Sequence, residues 1–332
     1  MKRVHVLTLG GTIAYTYRDG VPQISDLTDY LESLEDVKKD IQMKVTAFRR
    51  KSSSSMLVDD LIQLAKKVRE ILAGDTDGVV IVQGTDTIEE TAFAMELLLN
   101  SEKPVVVTGA MRNPDMRGAD GPANLVASIR VAASEACKGL GAMVVFNDGI
   151  YPALYTRKIH TQSTEAFASD FGPLGYLAEG RPSLRMRPIR RPIPWVQLDS
   201  AEYTRTSCSA PIYSVPIGDD GRLLAHVLSS NCEGLILEGM GGGHCPTEMV
   251  DTLESIAQKI PVILASRIGR GDMLTSTYAG YPGSETSLLS KGLISAGILD
   301  GRKARILLIL QILSGCSKDQ IAESFRIFSK AY

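Results

Sequence analysis

The chain has 332 residues, 44% of them hydrophobic and 22% charged, with a formal net charge of −2. That length exceeds what one ordinary core holds and predicts two domains. The near-neutral balance argues against a field that draws in nucleic acid or anionic membrane, and no apolar run approaches the roughly 18 residues of a membrane span.

The chain opens basic and then apolar, from Met1-Lys2-Arg3 to Leu9. This reads as a buried first strand over 4–9 rather than a secretion signal, because it runs into Gly10-Gly11 without a small-residue cleavage pattern. A serine run, 52–55, is the one low-complexity tract. Leu57, Leu61, Leu64, Ala65, Val68, Ile71 and Leu72 then recur at helical spacing. A strand is predicted over 78–82, followed by Gln83-Gly84-Thr85-Asp86. Thr87 with Glu90 forms a capping-box signature, so a helix is expected just after Asp86, carrying Ile88, Thr91, Ala92, Met95, Leu98 and Leu99. Further buried strands are predicted over 105–108 and 142–146.

An arginine- and proline-rich run over 181–192 reads as a solvated linker or interface rather than an RNA contact. It sets the expected division: an N-terminal domain over 1–190, a linker over 191–212 and a C-terminal domain over 213–332. The last part carries two strand candidates, 234–237 and 262–264, and four helical segments. One covers 303–313, and Ser317 with Gln320 opens the final helix. Strands alternating with helices predict a parallel sheet covered on both faces, with ligands outside the carboxyl ends of its strands.

Five cysteines (Cys137, Cys208, Cys232, Cys245 and Cys316) and four histidines (His5, His160, His226 and His244) are scattered. They give no disulfide framework and no metal-ligand set, which fits a reducing cytoplasm.

Chemistry is expected where strands end in glycine and hydroxyl residues. Gly10-Gly11 permits a tight turn and close approach of a ligand, and places the Thr12 hydroxyl at a strand end. The spacing is wrong for a dinucleotide fingerprint. Thr85 and Asp86 are fixed between a strand end and a helix start, and Thr87 takes the cap, which leaves Asp86 for another task. Thr108-Gly109-Ala110-Met111-Arg112 follows a third strand and Asn147-Asp148-Gly149 a fourth. Lys158 by itself carries no signal.

In this order the motifs resemble the bacterial-type asparaginases and glutaminase–asparaginases. Gly10-Gly11-Thr12-Ile13-Ala14 looks like the family's nucleophile loop. Gln83-Gly84-Thr85-Asp86-Thr87 is similar to its second signature, usually His-Gly-Thr-Asp-Thr, and 108–112 to its third. Lys158 precedes Phe167 by nine residues, as the family's lysine precedes its phenylalanine. Phe171-Gly172-Pro173-Leu174-Gly175-Tyr176 and the stretch from Gly292 to Arg305 extend the match over nearly the whole chain.

The resemblance implies an α/β protein. Its larger N-terminal domain carries a parallel-rich sheet flanked by helices, flavodoxin-like, and its smaller C-terminal α/β domain a short parallel sheet. It implies hydrolysis of L-asparagine to L-aspartate and ammonia, with some glutaminase activity and no metal or organic cofactor. Thr12 would be the nucleophile, with Thr85, Asp86 and Lys158 a second cluster across the amide carbon. Ser53 and Ser54 would hold the substrate carboxylate, Asp86 and Glu285 its ammonium, and Ala110 would line the substrate. In the family this glutamate comes from the neighbouring subunit, so a dimer or a dimer of dimers (a homotetramer) is implied. A threonine hydroxyl is a poor nucleophile without a nearby base. Lys158 acting through Thr85 would supply one, and backbone N–H groups of the glycine turns would stabilise an oxyanion at roughly 3–4 kcal/mol per donor.

Two departures stand out. The family carries a tyrosine ten to thirteen residues beyond its nucleophile, where this chain has Pro22, Gln23, Ile24 and Ser25; Tyr15 and Tyr17 are the candidates to activate Thr12. Glycine stands near a position in 239–243 where the family often contributes an asparagine. Two rival readings follow: the ammonia-releasing amidase subunit of a tRNA-dependent amidotransferase, and a non-catalytic amino-acid sensor. The first usually has an extra amino-terminal domain, and retention of Thr12, Thr85, Asp86 and Lys158 together argues against the second.

Overall fold

The computed structural model describes residues 1–10, 31, 34–189, 194, 196, 207–227 and 229–329, and the backbone alone over 15–18 and 21–24. The chain divides into two compact units, Met1–Arg190 and Arg191–Tyr332.

In the first unit the strands are, in chain order, β1 (Lys2–Thr8), β2 (Tyr15–Arg18), β3 (Val21–Ile24), β4 (Ile41–Ala47), β5 (Gly78–Val82) and β6 (Val105–Thr108). They continue as β7 (Ala142–Phe146), β8 (Gly149–Pro152), β9 (Thr156–Lys158), β10 (Phe167–Ser169), β11 (Gly175–Ala178) and β12 (Arg181–Leu184). Eight of them form one sheet in the order β12-β11-β8-β7-β6-β5-β1-β4. From β4 to β7 every pairing is parallel. β8, β11 and β12 extend the sheet antiparallel. The parallel strands thus lie in the spatial order 2-1-3-4-5, the flavodoxin-like arrangement, whose topological switch point falls between β1 and β5.

Every residue of β5, β6 and β7 is buried. Central parallel strands covered on both faces need such continuous apolar runs, and each buried valine or leucine contributes roughly 1.5–3 kcal/mol relative to exposure. The helix Gly121–Ala132 lays Leu125 and Ile129 on one face, against Val80, Val106 and Met143. The helices Val58–Leu72 and Ile88–Leu98 pack against β5, β6 and β7.

The second unit holds β13 (Ile212–Ser214), β14 (Leu235–Gly239), β15 (Val262–Ser266) and β16 (Ile294–Ser295) in sequential order, all parallel. Its helices are Val250–Ala257, Glu285–Ser290, Gly301–Leu313 and Lys318–Ser329. Ser317 and Gln320 form the expected reciprocal box: Ser317 N donates to Gln320 Oε1 at 2.8 Å, and Gln320 N to Ser317 Oγ at 3.3 Å. The helix predicted from 303 begins at Gly301, because Asp300 caps it by accepting from Arg302 N and Lys303 N at 3.0 and 3.1 Å.

One local expectation is corrected. Thr87 sits at the N-cap of Ile88–Leu98 without a side-chain cap bond. A single 3-10 turn, Thr85–Thr87, precedes the helix, and the Thr87 hydroxyl is turned to another loop.

Candidate active site

Strand register builds the site's floor. Thr8 is level with Ala47 on one side and Val82 on the other, and Val82 is level with Thr108. The chain therefore leaves β4, β1, β5 and β6 along one edge, beside the switch point. Gly10 turns at φ +100°, where a Cβ would lie 2.9 Å from Lys51 O, so the turn after β1 requires glycine. Gly109 lets the loop after β6 approach Gln83 O, which a Cβ would meet at 2.4 Å.

The loop after β4 is tied to β1 by Phe48 N donating to Thr8 O and Lys51 N to Leu9 O, both at 2.9 Å. Asp60 anchors its far end, accepting from Lys51 Nζ at 2.5 Å and Leu57 N at 2.9 Å. Burial pushes the Asp60 carboxyl up, but Lys51 and the Leu57 amide outweigh it and hold the group below its ordinary value.

This places Ser53 against the loop after β5. Ser53 Oγ donates to Asp86 Oδ2 at 3.3 Å and accepts from Asp86 N at 3.4 Å. Thr87 Oγ1 donates to Ser53 O at 3.2 Å and accepts from Gln83 Nε2 at 3.2 Å. Lys158 closes the cluster from β9, its Nζ donating to Thr85 Oγ1 at 2.9 Å and Asp86 Oδ1 at 3.1 Å. Thr85 is buried, whereas the Asp86 side chain stays 60% exposed. A buried hydroxyl, an accessible carboxylate and an ammonium that bridges them can hold a cationic group and move a proton. Ser54 is not drawn in: it is exposed and its hydroxyl pairs with Ser52 Oγ at 2.8 Å.

Ala110 is buried beside this edge. Its loop is held by residues the sequence did not single out. Asp120 accepts from Met111 N at 3.0 Å and Arg112 N at 2.9 Å. Asn124 donates to Gly109 O at 3.0 Å and accepts from Asn147 N at 2.9 Å, joining the loops after β6 and β7. Asp120 at the N-cap, with proline in the first turn of the helix, was the available signal. Glu89 is a third such residue, accepting from Lys158 N at 2.8 Å.

In the second unit Glu285 is wholly buried. Its Oε1 accepts from Thr277 N at 3.0 Å and Tyr278 N at 2.6 Å, and its Oε2 lies 3.2 Å from His244 Nε2. Burial pushes this carboxyl up; the Tyr278 amide, with His244 and the Thr277 amide, more than offsets it and holds the group below its ordinary value. The His244 ring stands edge-on to Tyr278, centroids 4.9 Å apart. Thr12 lies outside the described residues, as do the side chains of Tyr15 and Tyr17. Among the described residues no group of three or more histidine, cysteine or acidic side chains could hold a metal ion.

Hydroxyl, carboxylate and ammonium groups are thus gathered on the carboxyl edge of a 2-1-3-4-5 sheet, where α/β proteins of this class bind their ligands. Residues 3–190 match the family model "Asparaginase, N-terminal", and residues 211–325 match "Glutaminase/Asparaginase C-terminal domain". The chain belongs to the asparaginase family and is an amidohydrolase acting on a linear amide. It is 30% identical to the L-asparaginase of Bacillus licheniformis over 98% of this chain and 99% of that one. It is 30% identical to the glutaminase-asparaginase of Pseudomonas aeruginosa, over 92% and 85%. The crystal structure of a probable cytoplasmic L-asparaginase from Campylobacter jejuni matches with a TM-score of 0.86 at 30% identity, over 98% of this chain and 99% of that one.

Proposed function

We propose that the protein converts L-asparagine to L-aspartate and ammonia through an acyl-enzyme on Thr12, with slower use of L-glutamine and without a metal or organic cofactor. The observation that carries this reading is the Lys158 ammonium shared between Thr85 Oγ1 and Asp86 Oδ1. In an amidohydrolase of this family it supplies a proton relay beside a carboxylate that can take an ammonium.

The Thr12 oxygen bonds to the amide carbon, its proton passes to the leaving nitrogen, and the C–N bond breaks to release ammonia. Water adds to the resulting Thr12 ester, its proton passing to Thr85 as Thr85 gives one to Lys158 and Lys158 gives one to the Asp86 carboxylate. The ester bond then breaks, the proton returns to Thr12 and aspartate leaves. Backbone N–H groups of residues 10–12 and 84–86 stabilise the oxyanion in both halves, and Tyr15 or Tyr17 activates Thr12. Ser53 and Ser54 serve the substrate carboxylate, Asp86 and Glu285 its ammonium, and Ala110 lines the pocket. Glu285 comes from the neighbouring copy, so the working form is a dimer or a dimer of dimers. Domains over 1–190 and 213–332, joined by 191–212, carry the two halves of each site. A cytoplasmic location fits the cysteines, none of which is in a disulfide.

The test is ammonia release by the purified protein from L-asparagine, D-asparagine and L-glutamine, without added metal. Release from L-asparagine that disappears in Thr12→Ala is expected. Normal turnover in Thr12→Ala removes the assigned nucleophile, and no release from any of the three removes the substrate class.

A further inference from the structure

Glu89 stands in the first turn of the helix Ile88–Leu98, four residues beyond Thr85. An acidic residue there complements the helix dipole, but that does not require burial, and Glu89 is only 1% exposed. Its Oε2 accepts from Lys158 N at 2.8 Å.

The strand pairing explains why Lys158 needs that acceptor. β9 and β10 form a sheet of two strands, with Lys158 opposite Phe167. Ile159 N donates to Ala166 O at 2.8 Å. Hydrogen-bonded and non-bonded pairs alternate along an antiparallel ladder. Lys158–Phe167 is therefore a non-bonded pair, and the Lys158 N–H turns away from β10. Among the described residues no third strand lies on that side to take it. A backbone donor turned inward must find a partner, and Glu89 is that partner.

The same segment also holds the other end of the lysine. Thr85 and Asp86 take its ammonium at 2.9 and 3.1 Å, and Glu89 takes its backbone. The 3-10 turn and the start of the helix between Thr85 and Glu89 rise about 7 Å, which is close to the reach of a lysine from its amide to its ammonium. β10 is fixed separately, Phe167 packing on Phe146 with ring centroids 4.8 Å apart. We propose that Glu89 is a positioning residue for the hydrolysis, which sets Lys158 in register with Thr85 by holding the Lys158 amide. It touches no reacting atom. Loss of its oxygen frees β9 to slide along the helix start, and a displacement of 1 Å at a reacting group costs on the order of a hundredfold in rate.

The inference rests on Lys158 serving the proton relay, so Lys158→Met is measured beside Glu89→Ala, Glu89→Asp and Glu89→Gln. Each variant is assayed for kcat and KM on the amide that releases ammonia, and its melting temperature is recorded. With Lys158→Met inactive, Glu89→Ala is expected to lower kcat about a hundredfold, with KM within about threefold of the parent. Glu89→Gln keeps an oxygen at the same reach and returns kcat to within about threefold. Glu89→Asp falls short by one methylene and does not. Should Glu89→Ala fail to fold, the aspartate and glutamine variants carry the comparison. Parent-like kcat in Glu89→Asp or Glu89→Ala overturns the inference, as does an equal loss in Glu89→Gln. Full activity in Lys158→Met overturns the relay itself and the inference with it.

Discussion

Ser53 and Asp86 are joined twice: the Ser53 hydroxyl donates to Asp86 Oδ2 and accepts from the Asp86 amide. One side chain thereby fixes the loop after β4 to the loop after β5, across the switch point of the sheet. Ser53 has two consequences on this geometry, orienting Asp86 and presenting its own edge to a ligand. Ser53→Ala is expected to cost about 1 kcal/mol of stability, as for a hydrogen bond of ordinary worth. It is expected to lower kcat/KM by roughly one to two orders of magnitude, mainly through KM, because Asp86 loses its orientation. Steady-state kinetics with urea denaturation of the same preparation measures both. An unchanged KM would leave Ser53 a purely structural tie.

Lys158→Met keeps the length and apolar stem of the side chain and removes the donor to Thr85 and Asp86. The expected loss in kcat is about two to four orders of magnitude, the usual range for a proton-transfer group, with the melting temperature nearly unchanged. Lys158→Arg is not expected to restore activity, since a planar guanidinium cannot reproduce a point donor held between two oxygens.

The sheet was legible and its rim was not. Strands β5, β6 and β7 are buried on both faces, so their apolar runs stand out from any surrounding pattern. β4 alternates buried and exposed positions at the sheet edge, and β8 to β12 are only three or four residues long. The alternation of β4 is itself a strand signal that was passed over, whereas runs as short as β8 to β12 do not separate from a loop by periodicity. At the site, Thr85 and Asp86 were visible because a strand end and a helix start bracket them. Lys158 was visible only through family resemblance, because its meaning depends on Thr85, 73 residues away. The cap read from Thr87 and Glu90 failed for a tertiary reason: the Thr87 hydroxyl reaches Ser53 O instead. His244 was read only as one of four scattered histidines, and its pairing with Glu285, 41 residues on, left no local trace.

Glu285 gives the second unit a pH dependence of known sign. Its carboxyl is held below the ordinary value of 4.5 in the fold. The folded state therefore gains stability from the ionised group at every pH above that value, and loses it as pH falls through the depressed folded value. Glu285→Gln is expected to lower the melting temperature at about pH 7, with the difference from the parent shrinking as pH drops below 4.5. Melting curves across the acid range decide it; a difference that stays constant with pH would assign the loss to packing rather than to charge.

Asp300 and Lys303 are both buried and share a contact of 3.0 Å at the start of the helix Gly301–Leu313. Removing one partner of a buried ion pair leaves the other charge without it, at about 3–5 kcal/mol. Asp300→Ala also removes the helix cap, typically worth about 1 kcal/mol. Asp300→Ala is expected to destabilise by that combined order, and Asp300→Ala with Lys303→Met by clearly less. Chemical denaturation of the two single variants and the double completes the cycle. Simple additivity would mean the pair is not coupled.

Asp120 governs the loop after β6 from its last position, the N-cap of the helix Gly121–Ala132. Both its oxygens are committed, one to the Arg112 amide and one to the Met111 amide and the Asn124 side chain. Asn124 in turn reaches Gly109 O and Asn147 N. Asp120→Ala therefore releases two backbone donors and loosens the loop that carries Ala110, while Thr85, Asp86 and Lys158 keep their own bonds. The expected result is a KM raised about tenfold with kcat changed less, since positioning of substrate is lost and the proton relay is not. Amide hydrogen exchange supplies the structural half of the test: Met111 and Arg112 should exchange much faster in the variant, and the amides of β5 and β6 at the parent rate, because the opening is local. Faster exchange throughout the sheet would instead make Asp120 a determinant of global stability, and would remove its assignment to the loop.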